Sequence, residues 1–140
     1  MYNVEENIER YMRDLGASIL FSPAPGETIK KVRKGIEANQ EDMARLLGLR
    51  RETLSRIETG VIQPTASFIR RFSKIASTVK VFRDINALKE ASPTEAQIPF
   101  SPTFIRSHFS FSPAELELLM ELGNASYNKT KKKVLRRIRI

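Results

Sequence analysis

The chain has no cysteine and no tryptophan, and one histidine among its 140 residues. Without cysteine there is no disulfide, no thiol nucleophile and no thiolate metal site, and such a chain suits a reducing cytoplasm. A lone histidine, His108, cannot build a zinc site by itself. No apolar run approaches the length that spans a bilayer, so an integral membrane protein is excluded. The first residues, 1–6, lack a basic patch followed by an apolar stretch, and no secretory leader is expected. There is no internal repeat and no strand-rich stretch. No grouping of carboxylate, imidazole and nucleophile stands out, so no catalytic activity, cofactor or metal is expected.

What is present is positive charge. The net charge is +8, with 24 basic against 16 acidic residues. It is unevenly spread: net −3 over residues 1–27, +7 over 28–91 and +4 over 92–140. Such a balance favours a polyanionic partner, nucleic acid above all, and an anion-binding surface is to be sought in the middle and at the end of the chain.

The apolar spacing is helical almost throughout. Val4, Ile8, Tyr11, Met12 and Leu15 predict a first helix with Gly16 as its stop, and residues 22–26, with two prolines and a glycine, read as a linker. Ile29, Val32 and Ile36 predict a helix over 28–38 that turns Lys30, Lys31 and Lys34 outward. Asn39 is placed to cap the next helix, with Asp42 at the third position and Gly48 as the stop. A helix then starts at Arg50 or Arg51 and ends before Gly60. Pro64 and Thr65 open another over 66–77, and the pattern of Val79, Phe82, Ile85 and Leu88 predicts a further one over 78–91. Residues 92–112 look irregular, yet Phe100, Phe104, Phe109 and Phe111 predict that they pack on the body rather than act as a flexible linker. Ser112, Pro113 and Glu115 form a strong helix start, with a stop predicted near Gly123 and Asn124.

The informative stretch is 39–60. Two short helices joined by a glycine-containing turn make a helix-turn-helix unit. Ala44 is small where the two helices cross, Gly48 permits a left-handed turn, Leu49 fills that turn, and Met43, Leu47, Leu54 and Ile57 supply the shared core. With Gln40, Ala44, Gly48, Leu54, Ile57, Glu58, Gly60 and then Pro64 at this spacing, residues 27–77 resemble the Cro/CI (Xre-type) family of DNA-binding transcriptional regulators. The resemblance implies an all-α, lambda-repressor-like bundle of four to five helices over 27–91. An N-terminal helix and linker (1–26) would precede it and a helical extension (92–140) follow.

It also implies roles. The second helix of the pair would enter the major groove of double-stranded DNA, with Arg51, Glu52 and Arg56 at base-contacting positions and Thr53 and Ser55 flanking them. Asn39 and Gln40 would meet phosphates, with Lys34 and Arg50 as further phosphate contacts. Arg33 would bridge Glu58, partly buried, and orient the helices. One departure is that Arg50 stands where the family has a serine or threonine cap. Arginine can take guanine O6 and N7 together, and glutamate can accept from cytosine N4, so Arg51 beside Glu52 predicts a G/C-containing half-site.

The whole then reads as a cytoplasmic, nucleoid-associated homodimer on a palindromic operator. An antitoxin and a coactivator bridging to the basal transcription machinery are the alternatives. Some relatives carry a serine-lysine self-cleaving domain, but too few residues follow Ala91 for it, and Ser110 and Ser112 are not read as nucleophiles. His108 is read as an ordinary loop residue. The end, 129–140, has 7 basic residues among 12. It is open to three readings: a phosphate-contacting extension, a dimerisation or protein-partner element using Val134, Leu135, Ile138 and Ile140, or a solvated end.

Overall fold

The computed structural model describes residues 2–91 and 102–138, with the side chains of Pro102, Phe104 and 132–138 left aside. Among the described residues there are seven helices and no strand: α1 (Val4–Leu20), α2 (Pro25–Gly35), α3 (Gln40–Leu47), α4 (Arg51–Glu58), α5 (Ala66–Ala91), α6 (Pro102–His108) and α7 (Pro113–Ile138).

Helix α5 is the spine. Five successive positions, from Ile75 to Val79, are buried, which a helix achieves only with neighbours on several sides. Helix α1 runs antiparallel along one flank and α7 parallel along another, while α3 meets it near its start. One core results, running from Ile8 and Ile19 through Ile29, Met43, Leu54 and Phe72 to Ile105 and Leu119.

Three glycines read from sequence as ends or as linker lie inside helices. Gly16 does not stop α1, which continues to Leu20 and buries Ile19; it faces Ser73 of α5, with room for a β-carbon in ordinary contact at 3.9 Å from the Ser73 Oγ. Gly123 does not stop α7. A β-carbon there would lie 2.5 Å from Cβ of Phe82, so the glycine is what lets α7 close on α5. The 22–26 stretch is only partly a linker, because Pro25 opens α2 and Gly26 is buried in its first turn. Proline suits that position because its absent N–H would have no helical acceptor there.

The two helices expected over 66–77 and 78–91 are one, because Ser77 and Thr78 face the interior and Thr78 Oγ1 turns back to donate to the Lys74 carbonyl at 2.8 Å. The stretch expected to be irregular contains α6, and Ile105, Phe109 and Phe111 do pack into the core. Phe100 lies outside the described residues, as do the side chains of Phe104, Val134, Leu135 and Ile138, and Ile140.

Polar contacts fasten the flanks. Tyr2, just before α1, and Tyr11 of α1 both donate to Asp84 Oδ2 of α5, at 3.1 and 2.6 Å. Burial raises both phenols above their ordinary pKa, and Asp84 adds to this through its charge and its hydrogen bonds. Lys80, over the Tyr11 ring, is pushed down by burial and by Arg83. At the start of α7, Ser112 Oγ accepts from Glu115 N at 3.1 Å and Glu115 Oε1 accepts from Ser112 N at 2.8 Å, a complete capping box. Arg71 pairs with that same Glu115, donates to the Leu46 carbonyl at 3.1 Å, and lies over the Phe111 ring.

Candidate nucleic-acid interface

Local rules place α3 and α4. Asn39 Oδ1 accepts from Asp42 N at 2.8 Å and starts α3. Gly48 ends it at φ 70°, a left-handed angle costly for residues bearing a β-carbon. The turn is closed by Leu49 N, which donates to the Ala44 carbonyl at 2.9 Å. Helix α4 starts from an extended Arg50 with no side-chain cap and ends against Gly60 at φ 85°. Ala44, Met43, Leu54 and Ile57 are buried between the helices, with Leu47 and Leu49 partly buried at the rim.

Under this pair sits a buried ion pair. Arg33 Nε donates to Glu58 Oε2 at 2.7 Å and Arg33 Nη2 to Glu58 Oε1 at 3.0 Å, and the two side chains are 7% and 1% exposed. The pair is buried more deeply than the sequence led us to expect. Arg33 Nη1 donates to the Ala38 carbonyl at 2.9 Å, so the guanidinium also fixes the turn before α3. Gln40 adds a third strut: its Nε2 donates to Glu58 Oε1 at 2.9 Å, while its Oε1 faces Arg51 Nε at a long 3.5 Å. The last residue of α4 is thus tied to α2 and to the first residue of α3. Such a planar, two-point pairing sets orientation as well as distance.

The surface above these struts is polar and charged. Arg50, Arg51, Glu52 and Arg56 are exposed, as are Asn39 and Lys34, while Gln40, Thr53 and Ser55 are half-buried. Residues 40 and 51, distant in sequence, are brought within reach of each other, and Arg56 lies on the same short helix as Arg51 and Glu52. Leu54, Ile57 and Glu58 occupy the inward face of that helix. A rigid two-helix unit with arginines outward and an apolar face inward can dock in a groove and present hydrogen-bond donors to base edges.

Sequence reasoning missed two features of this region. Gly26 holds the first turn of α2 against the end of α4 so closely that a β-carbon would stand 2.3 Å from the Ile57 carbonyl oxygen and 2.7 Å from that of Glu58. A glycine directly after a helix-starting proline is the signal that could have found it. Glu37 adopts φ 63° between α2 and α3 and receives Lys129 of α7 at 2.8 Å; nothing in the local pattern announces that contact.

The group of residues best placed to share a cation, among the described residues, lies away from this surface. Ligand atoms of Glu5, Glu9 and His108 are within 4.8 Å of one another. His108, expected in a loop, ends α6 with Nε2 at 3.1 Å from Glu5 Oε1, so it serves there as a link between α6 and α1. No helix among the described residues is long and apolar enough to cross a membrane.

Comparison with known proteins agrees with this geometry over one segment. Residues 29–76 match the family model described as helix-turn-helix, which covers α2 from Ile29 on, α3, α4 and the first part of α5. No curated protein and no solved structure gives a significant match.

Proposed function

We propose that this chain, whose residues 29–76 match the helix-turn-helix family model, is a sequence-specific DNA-binding regulator of transcription of the Cro/CI (Xre) type that acts by occupying duplex DNA. The observation that carries the reading is the Arg33–Glu58–Gln40 brace beneath a helix whose outward residues are Arg51, Glu52 and Arg56. A brace of this kind gives α4 one fixed pose, which groove recognition needs and a merely solvated helix does not.

In this reading α4 lies in the major groove. Arg51 and Arg56 donate to guanine, Glu52 accepts from cytosine, and Thr53 and Ser55 flank them. Asn39, Gln40, Lys34 and Arg50 meet phosphates and set the register without reading sequence. The protein acts as a homodimer on a palindrome with half-sites about 34 Å apart. It works in the cytoplasm, on the nucleoid, and needs no cofactor or bond chemistry; it blocks or recruits at a promoter.

Selection of bound sites from random duplexes tests all of this together. The expected result is an enriched inverted repeat with G/C in each half-site. Recovery of unenriched sequence, with affinity independent of the duplex chosen, would overturn sequence-specific readout.

A further inference from the structure

Helix α7 delivers a basic segment to the side of the helix-turn-helix where α3 begins. Its course is set by three contacts along α5: Glu115 with Arg71, Gly123 with Phe82, and Lys131 with Glu90 at 2.5 Å. The partners rise together in sequence, so the two helices run in the same direction. Helix α5 is described as far as Ala91 and α7 as far as Ile138. The final seven residues of α7 extend about 10 Å past Lys131. Just before these residues, Lys129 is anchored 2.8 Å from Glu37, two residues ahead of Asn39, which caps α3.

The end of α7 carries charge of one sign. Residues 129–138 contain six basic side chains and no acidic one. Lys129 and Lys131 are paired with Glu37 and Glu90. Lys132, Lys133, Arg136 and Arg137 follow, so Lys132 with Arg136 and Lys133 with Arg137 stand four apart on one helix. Like charges at that spacing cost an isolated helix roughly 0.2–0.5 kcal/mol per pair, and the helix dipole favours cations only near the last turn. A polyanion removes this repulsion. Charge, position and the Lys129 anchor together point to the same DNA that meets the start of α3.

We propose that the last two turns of α7 form a second phosphate-binding element, laid along the duplex backbone beside the half-site read by α4. This rests on the DNA-binding reading given above and adds to it a partner for the C-terminal extension. Phosphate contacts carry no sequence information, so the element raises affinity for every duplex alike.

The test uses the full chain and a fourfold variant, Lys132→Gln, Lys133→Gln, Arg136→Gln and Arg137→Gln. Its helix content and melting are compared with the parent. Binding to a selected duplex and to a random-sequence duplex is measured across a range of salt. The expected result is a salt dependence shallower by about 0.9 per lost contact, up to about 3.6 in the log–log slope. Affinity should fall by the same factor on both duplexes. An unchanged slope in a folded variant would overturn the proposal. So would a loss confined to the selected duplex, which makes these residues base readers. An unchanged slope with a changed sedimentation mass would overturn it in favour of an interface between copies. If the parent chain binds no duplex even at low salt, the underlying function falls as well; if the parent binds and the variant matches it, only this element falls.

Discussion

Gly26 and Ile57 are in backbone contact: a β-carbon on Gly26 would stand 2.3 Å from the Ile57 carbonyl oxygen. The start of α2 is thereby pressed onto the end of α4, and Arg33, about two turns further along α2, reaches Glu58 at the same end of α4.

Gly26→Ala should therefore destabilise the protein by about 1–3 kcal/mol, because the atoms it meets are backbone and cannot rotate away. Gly35→Ala is the matched control. Nothing lies within 4 Å of its β-carbon position, and it sits at the end of the same helix. Urea unfolding of the two variants should separate them clearly, with Gly35→Ala close to the parent or slightly more stable.

Arg33→Met should be among the most damaging single changes. It leaves the Glu58 carboxylate buried with Gln40 as its remaining side-chain partner, at a cost of about 3–5 kcal/mol. Replacing both, Arg33→Met with Glu58→Met, should recover a large part of that loss, since the uncompensated charge goes too. Equal unfolding midpoints for the single and double variants would show that the charge is not what matters.

Arg51→Ala and Gln40→Ala should fail differently. The first should relax preference at one base pair and cost about 1–3 kcal/mol on the selected duplex, with little effect on random DNA. The second removes a strut to Glu58 and, on the reading proposed above, a phosphate contact, so affinity should drop on every duplex. Competition binding with single-base-pair variants of the selected site reads out both.

The latch between α1 and α5 should be alkali-sensitive. Tyr2 and Tyr11 are raised above the ordinary phenol value of 10.0, first by burial and then by Asp84. A raised folded-state pKa means that the stabilisation is complete below pH 10 and lost as pH climbs through the raised values. Lys80, pushed down by burial, titrates in the opposite sense, so the comparison is best made in a Lys80→Met background. Between about pH 8 and about pH 11, the tyrosine-bearing protein should lose more unfolding free energy than its Tyr2→Phe, Tyr11→Phe counterpart.

The caps were the readable part of the fold. Asn39, Gly48 and Gly60 mark α3 and α4 because each acts through its own backbone angle or its neighbour's N–H, and such effects are local in sequence. Ser112 with Glu115 is legible for the same reason. Gly26 and Gly123 were misread because a glycine in a linker or at a helix end and a glycine that lets another chain segment approach look alike without the partner. Their partners, Ile57 and Phe82, are 31 or more residues away. The Arg33–Glu58 pair was named only by likeness to a family, since nothing within either helix says that residues 25 apart will meet. The contact between Lys129 and Glu37 had no such guide.

Helix α5 carries a last consequence. It is walled by α1 on one flank and α7 on another, and its first turns also support α3. The segment that matches the helix-turn-helix family therefore shares its core with the described parts of the chain before and after it. Cutting after Ala91 would lay bare Val79 and Phe82, where Gly123 now packs, and cutting α1 would expose Ser73 and strip Asp84 of both its phenols. Heat should accordingly melt the molecule in one cooperative step, and a fragment trimmed to residues 29–76 would be a damaged piece rather than a minimal module.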